Sequence, residues 1–370
     1  MKIGILTFHN AHNYGATLQA YALRTYLRGI GHDASIINYR NKMIDSAYKK
    51  VFVPRFFKRD ILPTHWKRVW KECEKSLFGQ KMWREQWEAF EQFIQEVILE
   101  GNTIEVIKED LEKLDFDYFI LGSDQIWTDE LTGGLDQVYL GNFKTDAKII
   151  TYAASIADGE VPEKHVSEFK CTLQKMYALS VREEKLAKQL RNMLDREVSV
   201  TLDPTLLLRQ EDYELFIATD SDRKERFVFA YFVVENPVLM ECARHAAKLL
   251  KCQLIELHYF KTPEFGGEYQ LANLGPREFL YYISHAEMVV TNSFHGTVFS
   301  ILFKKAFYSV YKKNGRIENL LSFLNLEHRH IENKEAICPE DVIDYTDVEN
   351  KLELYRTESI MFLKRALMDS

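Results

Sequence analysis

Apolar segments of strand length alternate with segments of helical periodicity along most of the chain. The first part shows the pattern, with an apolar segment over 2–8, a polar turn, a helical segment over 17–27 and an apolar segment over 34–39. Strands that alternate with helices pair in parallel, because each helix returns the chain to the same end of the sheet. The alternation therefore predicts an α/β fold with parallel sheets.

The alternation occurs twice, which indicates two domains. A chain of 370 residues exceeds what one core usually accommodates. The first run covers residues 1–210 and the second covers 226–345, with the polar segment 211–225 as the predicted linker. A charged helical segment over 350–368 is expected to form the final unit, 346–370, and to pack near the domain junction. We predict two Rossmann-like, doubly wound domains that face each other across a cleft, where strand ends and helix starts bind ligands.

The first domain contains an insertion over residues 40–100 that interrupts the alternation. Residues 40–75 include eleven basic and four acidic side chains, with Phe and Trp interleaved, and lead into a long helix that is predicted to end near Leu99. One interpretation is a solvated helical face. Another is peripheral contact with an anionic membrane surface, which basic and aromatic residues suit. The net charge of −7 for the whole chain argues against nucleic-acid binding.

The cysteine pattern, the targeting segments and the nucleotide-binding motifs indicate the cellular compartment of the protein and its cofactors. The five cysteines are scattered and contain no C-x-x-C pair, which argues for reduced thiols and against a zinc site or a disulfide framework. The sequence has no signal-peptide pattern and no apolar run of about 18 residues. Neither G-x-G-x-x-G nor G-x-x-x-x-G-K-[ST] occurs. We therefore expect a cytoplasmic protein without a metal or a bound cofactor, with peripheral membrane contact through residues 40–75 as a further expectation.

The stretch VVTNSFHGTVFSILF places polar residues between a predicted strand and a predicted helix. Asn292 or Ser293 can cap that helix, whose free N–H groups favour an anion. His295 falls in the first helical turn and would point toward the cleft, where an imidazole suits proton transfer near neutral pH. The alternative is a capped turn whose histidine only binds a carbonyl group.

Two further strand ends carry candidate binding residues. Asn13 and Gly15 open the first helix and form a second candidate anion site, or else a simple capping turn. Gly122, Ser123 and Asp124 follow a strongly apolar strand, where small residues would let a ligand approach the backbone and Asp124 could bind a sugar hydroxyl. The alternative there is a strand-end turn.

Arg182 ends a short apolar strand of the first domain. Its guanidinium suits either a carboxylate partner at the sheet edge or an anionic ligand. Asp203, in the next predicted strand over 199–208, belongs either to a turn or to an ion pair with Arg182.

In their order along the chain these motifs resemble the polysaccharide pyruvyl transferase family. The resemblance covers nearly the whole chain, which is far more specific than any single motif. The matching segments are NYGATLQAYAL, LGSDQIW, YAASI, SVREE, LDPTLLL and VVTNSFHGTVFSILFKKAF.

The resemblance implies a fold similar to that of B-type glycosyltransferases. It also implies transfer of the pyruvyl group of phosphoenolpyruvate, a donor substrate and not a cofactor, onto two hydroxyls of a sugar to form a ketal. The acceptor would be a sugar, a sugar nucleotide or a lipid-linked sugar. By the same resemblance Arg182 contacts the donor and His295 is the histidine before the family's glycine. Asn292 and Ser293 stand where characterised members have Asp and Arg, which removes one guanidinium from the expected anion site.

Two other functions fit the same fold. One is a glycosyltransferase that uses a nucleotide-sugar donor. The other is a non-catalytic partner in polysaccharide assembly, which Ser293 and the basic segment 40–75 would suit.

Overall fold

The computed structural model describes residues 1–48, 66–217, 225–258, 270–271 and 273–368. Within these ranges the chain forms two parallel sheets with helices packed around them. The first sheet is built from the N-terminal half of the chain and the second from the C-terminal half.

The first sheet has four parallel strands with two short strands beside them. In chain order they are β1 (Lys2–Leu6), β2 (Asp33–Ile36), β3 (Tyr118–Leu121), β4 (Lys148–Thr151), β5 (Ser180–Val181) and β6 (Ser199–Val200). The order across the sheet is β2–β1–β3–β4. The β5–β6 pair lies next to β4 through isolated parallel bridges between Ile150 and Ala178 and between Ala154 and Val181. The carboxyl ends of all six strands therefore meet at one edge.

Helices of the first half pack around this sheet. They are α1 (Tyr14–Gly29), α2 (Lys42–Ala47), α3 (Trp66–Phe93), α4 (Asp129–Thr132), α5 (Val166–Leu173), α6 (Glu184–Leu194) and α7 (Gln210–Glu214). Helix α1 begins at Tyr14, before the predicted start, because the Asn13 side chain caps it. Helix α3 continues as a π-helix over Ile94–Ile98, so the long helix predicted in the insertion ends where expected.

The second sheet has five parallel strands. They are β7 (Phe227–Phe232), β8 (Gln253–His258), β9 (Gln270–Leu271), β10 (Met288–Thr291) and β11 (Ala306–Ser309), in the order β11–β10–β7–β8–β9. Strands β7 and β10 are buried along their whole length, as expected when helices cover both faces of a sheet. The helices of this half are α8 (Pro237–Leu250), α9 (Pro276–His285), α10 (Phe294–Leu302), α11 (Gly315–Phe323) and α12 (Tyr345–Met368).

Apolar packing joins the two halves. One buried cluster contains residues from both sheets. At its centre the ring of Tyr14 in α1 stacks on Phe279 in α9, with ring centroids 4.3 Å apart and 9° between the planes. The Tyr14 hydroxyl also donates a hydrogen bond to the carbonyl oxygen of Leu274 at 2.9 Å. The first helix of the chain is thus fixed against the second sheet's helices.

The C-terminal helix returns to the first half. In α12 the Ser359 hydroxyl accepts a hydrogen bond from the N–H of Leu202 at 2.9 Å, and Arg356 Nε donates to the carbonyl of Leu206 at 2.8 Å. Both partners flank Asp203, so α12 fixes the backbone on either side of it.

Two predictions about the middle of the chain are wrong in extent. The strand predicted over 199–208 ends at Val200, because Asp203 caps a 3-10 helix over Pro204–Leu206. The predicted linker over 211–225 begins inside α7, where Tyr213 is fully buried.

Residues 49–65 of the segment 40–75, for which membrane contact is predicted, lie outside the described residues. Across the described part of the chain, no helix combines the length and the apolar character that crossing a bilayer requires.

Candidate functional site

A cavity of about 670 Å³ lies between the two halves of the protein, and we call it the central cavity. Asn13 and Asp124, which follow β1 and β3, line it from the first half. His295 and Arg316, which follow β10 and β11, line it from the second half. Carboxyl ends of parallel strands are where open α/β sheets bind ligands.

A second cavity of about 530 Å³, the lateral cavity, adjoins the first. Arg182 and Asp203 line it from the first half. Phe294 and Arg316 line both cavities and form the wall between them. Ligands in the two cavities would therefore meet near Phe294.

His295 is buried between the two halves. Its ring lies directly on Gly15 of α1, and a Cβ atom added to Gly15 would be 1.8 Å from Nδ1 of the imidazole. The other nitrogen, Nε2, lies 3.5 Å from Oδ2 of Asp203, which is an ion-pair contact without a hydrogen bond. Only a side chain as small as glycine at position 15 leaves room for the imidazole in this place.

Asp203 is a fully buried carboxylate held on both oxygens. Oδ1 accepts hydrogen bonds from the N–H and the hydroxyl of Thr205, at 3.0 and 2.7 Å, and Oδ2 accepts one from Arg182 Nη1 at 2.7 Å. Burial raises the pKa of Asp203. The interactions with His295 and Arg182 and the hydrogen bond from Thr205 outweigh burial and hold the pKa well below its usual range. Asp203 is therefore ionised, and its negative charge lies beside the imidazole of His295.

Arg182 is paired with carboxylates. Besides Asp203, its Nε lies 3.3 Å from Oε1 of Glu183 and its Nη2 lies 3.9 Å from Oδ1 of Asp124. Its guanidinium also lies over the ring of Phe294 at 5.0 Å. Of the two interpretations left open by the sequence, the ion pair with Asp203 is confirmed.

The two predicted anion sites at helix starts are capped by side chains. Asn13 Oδ1 accepts hydrogen bonds from the N–H groups of Gly15 and Ala16. Ser293 Oγ accepts one from the N–H of Gly296. These three N–H groups are bonded within the protein and are not free to bind an anion in the central cavity.

Asn292 connects two strand ends. Its Oδ1 accepts a hydrogen bond from the N–H of Val233 at 2.8 Å, and its Nδ2 donates one to the carbonyl of Val234 at 2.6 Å. The side chain borders the central cavity, yet both ends of its amide are bonded to backbone that follows β7.

The segment after β3 has a part that packs inside the first half and a part that borders the central cavity. Gly122 has a φ of +111°, and a Cβ there would lie 2.5 Å from the carbonyl oxygen of Tyr152, so the close approach is to a neighbouring strand. Ser123 is fully buried and its N–H donates to Oε1 of Gln19. Of these three residues, Asp124 alone borders the central cavity.

The predicted site residues therefore divide into three groups. The central cavity brings together Asn13, Asp124, Asn292, Ser293 and His295. Outside it, Gly15 contacts the imidazole and Arg182 lines the lateral cavity. Gly122 and Ser123 pack inside the first half.

Sequence reasoning missed Arg316. Its half-buried guanidinium lies 5.9 Å from the ring centre of Phe294, on which Arg182 also stacks, and within the described ranges it has no ion pair. Burial, and then the positive charge of Arg182, lower the pKa of Arg316. Lys312 and Lys313 line the central cavity together with Arg316. The signal was available, since KKNGR lies shortly after an apolar strand and contains the asparagine that caps the next helix.

A sequence model described as polysaccharide pyruvyl transferase matches residues 13–314 of the chain. The chain belongs to this family. The match includes His295 and every strand of both sheets except β1. It confirms the family resemblance that the sequence motifs indicated. This pyruvyl transferase family member is therefore a transferase. No curated protein sequence matches the chain.

Three solved structures with a similar fold are distant in sequence. A crystal structure of a UDP-N-acetylglucosamine 2-epimerase is 10% identical, covers 98% of this chain and 94% of that chain, and has a TM-score of 0.51. A glycosyltransferase from Rickettsia africae is 10% identical, with coverage of 100% and 99% and a TM-score of 0.49. The S. aureus MnaA–UDP structure is 12% identical, with coverage of 99% and 96% and a TM-score of 0.48. The similarity to the epimerase structure and the two parallel sheets of this chain confirm the predicted fold, a pair of Rossmann-like domains as in B-type glycosyltransferases.

Proposed function

We propose that this transferase moves the pyruvyl group of phosphoenolpyruvate onto two hydroxyls of a sugar, giving a cyclic ketal and phosphate. The observation that carries the proposal is the pairing of buried His295 with ionised Asp203 beside a cavity that is rich in cations. A protonated imidazole with a fixed countercharge suits a general acid.

The charges of the central cavity favour an anionic donor. Phosphoenolpyruvate carries a carboxylate and a phosphate, and Lys312, Lys313 and Arg316 outnumber the lining carboxylates Asp124 and Glu235. Arginine binds such groups through two parallel hydrogen bonds. Arg316 supports the proposal because it can supply the guanidinium that this chain lacks at position 293.

In the proposed reaction His295 protonates the methylene carbon of the enol, which becomes a methyl group. The electron pair of the double bond forms the new C–H bond and leaves the adjacent carbon cationic. An acceptor hydroxyl adds to that carbon and returns its proton to the imidazole. Loss of phosphate makes the carbon cationic again, and the second hydroxyl adds to close the ketal, with its proton leaving on phosphate.

Arg182 has a positioning role in this scheme. It holds Asp203 through the 2.7 Å hydrogen bond and so fixes the countercharge beside His295. We assign the contacts with the donor to the cations that follow β11. The family resemblance alone would assign one contact with the donor to Arg182.

The test is phosphate release from phosphoenolpyruvate with a panel of sugars, sugar nucleotides and lipid-linked sugars. The wild type is expected to release phosphate with at least one acceptor, and His295→Ala to be slower by about a thousandfold, since positioned acids contribute about 10²–10⁴-fold. His285→Ala, which changes an exposed histidine at the end of α9, is the matched control and should keep full activity. Absence of release by the wild type, or full release by His295→Ala, would reject the proposal.

A further inference from the structure

The lateral cavity differs in chemistry from the central one. Its carboxylates are Glu183, Glu184, Asp203 and Glu358, against the two guanidinium groups of Arg182 and Arg316. An anionic donor is disfavoured there by this excess of negative charge. A neutral ligand with many hydroxyl groups is favoured, because carboxylates accept hydrogen bonds from hydroxyls.

Two residues that line the lateral cavity each contain a deeply buried polar atom with no hydrogen-bond partner among the described residues. The atoms are Nη2 of Arg182, a donor, and Oε2 of Glu183, an acceptor. The two residues are 9% and 5% exposed, and both line the cavity. Buried polar groups are usually satisfied, so an adjacent unsatisfied donor and acceptor indicate a ligand with both kinds of group.

The mouth of the lateral cavity carries an aromatic platform. Phe323 of α11 and Tyr355 of α12 lie with ring centroids 4.4 Å apart, and Tyr355 is 37% exposed. Asn319, one turn before Phe323, adds an exposed amide to the same wall. An apolar ring face beside amide and carboxylate groups matches a sugar, which has an apolar C–H face and a hydroxyl rim.

We propose that the lateral cavity is the acceptor subsite and binds an uncharged, hydroxyl-rich sugar ring between the Phe323–Tyr355 pair and the Arg182–Glu183 pair. The assignment as an acceptor rests on the proposed pyruvyl transfer, whereas the sugar binding does not. Phe294 and Arg316 line both cavities, so a sugar in the lateral cavity would present its hydroxyls to a donor in the central cavity.

Saturation-transfer NMR with the full chain tests the subsite. The probes are methyl pyranosides of glucose, galactose, mannose and N-acetylglucosamine at millimolar concentration. We expect saturable transfer to at least one probe, and an affinity at least tenfold weaker in Tyr355→Ala and Asn319→Ala. Leu354→Ala, an exposed neighbour on α12 outside the cavity, is the control and should bind as the wild type does.

Two results would overturn the subsite. One is no saturable transfer to any probe. The other is binding that survives Tyr355→Ala and Asn319→Ala but is lost in Trp87→Ala, since Trp87 lines a separate cavity of about 540 Å³.

Titration of the same samples with phosphoenolpyruvate separates the proposed subsite from the proposed pyruvyl transfer. Sugar binding without a donor response keeps the subsite and rejects pyruvyl transfer, whereas donor turnover with an unchanged acceptor KM in both variants rejects only the subsite.

Discussion

At the scale of single residues, charge pairing around Asp203 organises the site. Its carboxylate is shared by Arg182 from the first half and His295 from the second, and it is fully buried. Removing one partner of a buried ion pair leaves an uncompensated charge, which typically costs about 3–5 kcal/mol. The same group that would assist proton transfer therefore also stabilises the fold.

Asp203→Asn should lower the free energy of unfolding by about 3–5 kcal/mol at pH 7. The folded-state pKa of Asp203 lies below the unfolded value of about 3.9. Its carboxylate therefore contributes stability above about pH 4, and this contribution is lost as the pH falls through the depressed folded-state pKa. The difference between wild type and variant should shrink below pH 4.

Urea unfolding at pH 7, 5, 4 and 3 measures this difference. The control is Asp195→Asn at the exposed end of α6, which should change stability by no more than about 0.5 kcal/mol. A difference for Asp203→Asn that stays constant or grows toward acid pH would contradict the assignment of a depressed pKa.

At the scale of elements, the starts of α1 and α10 face each other, one from each half. Each helix is capped by its own side chain, Asn13 in one and Ser293 in the other. The caps fix the two helix starts so that Gly15 receives the imidazole of His295. This contact places a side chain of the second half at the strand ends of the first half.

Gly15→Ala should reduce kcat/KM for phosphate release by at least about a hundredfold, since a Cβ 1.8 Å from Nδ1 must displace His295. Gly29→Ala at the other end of α1 is the matched control, because a Cβ there meets no atom within 4 Å. That control should keep full activity and the same or slightly higher stability. Equal activity in the two variants would show that the position of His295 is not critical.

The elements also show which features sequence patterns can predict. Apolar periodicity and capping residues are local signals, so the strand, helix and strand predicted over 2–8, 17–27 and 34–39 are found as β1, α1 and β2. The segment after β6 was assigned as strand because its composition is apolar, although Asp203 caps a 3-10 helix there. The sequence places Arg316 shortly after a strand, but its contact with Phe294, on which Arg182 also lies, depends on other elements and cannot be predicted from its neighbours in sequence.

At the scale of the whole molecule, the fold places two cavities of opposite charge side by side. Cations following β11 line the central cavity, and carboxylates following β5 and β6 dominate the lateral one. His295 and Asp203 lie where the two cavities meet. If phosphoenolpyruvate is the donor, the central cavity must therefore bind it through Arg316.

Isothermal titration calorimetry of phosphoenolpyruvate into the full chain tests this requirement most directly. The wild type should bind, and Arg316→Gln should bind about 10–100-fold more weakly, because a hydrogen bond to a charged group contributes about 1.5–3 kcal/mol. Arg244→Gln on the exposed face of α8 makes the same substitution away from the cleft and should bind as the wild type does. No binding by the wild type, or equal affinity in Arg316→Gln, would contradict the account.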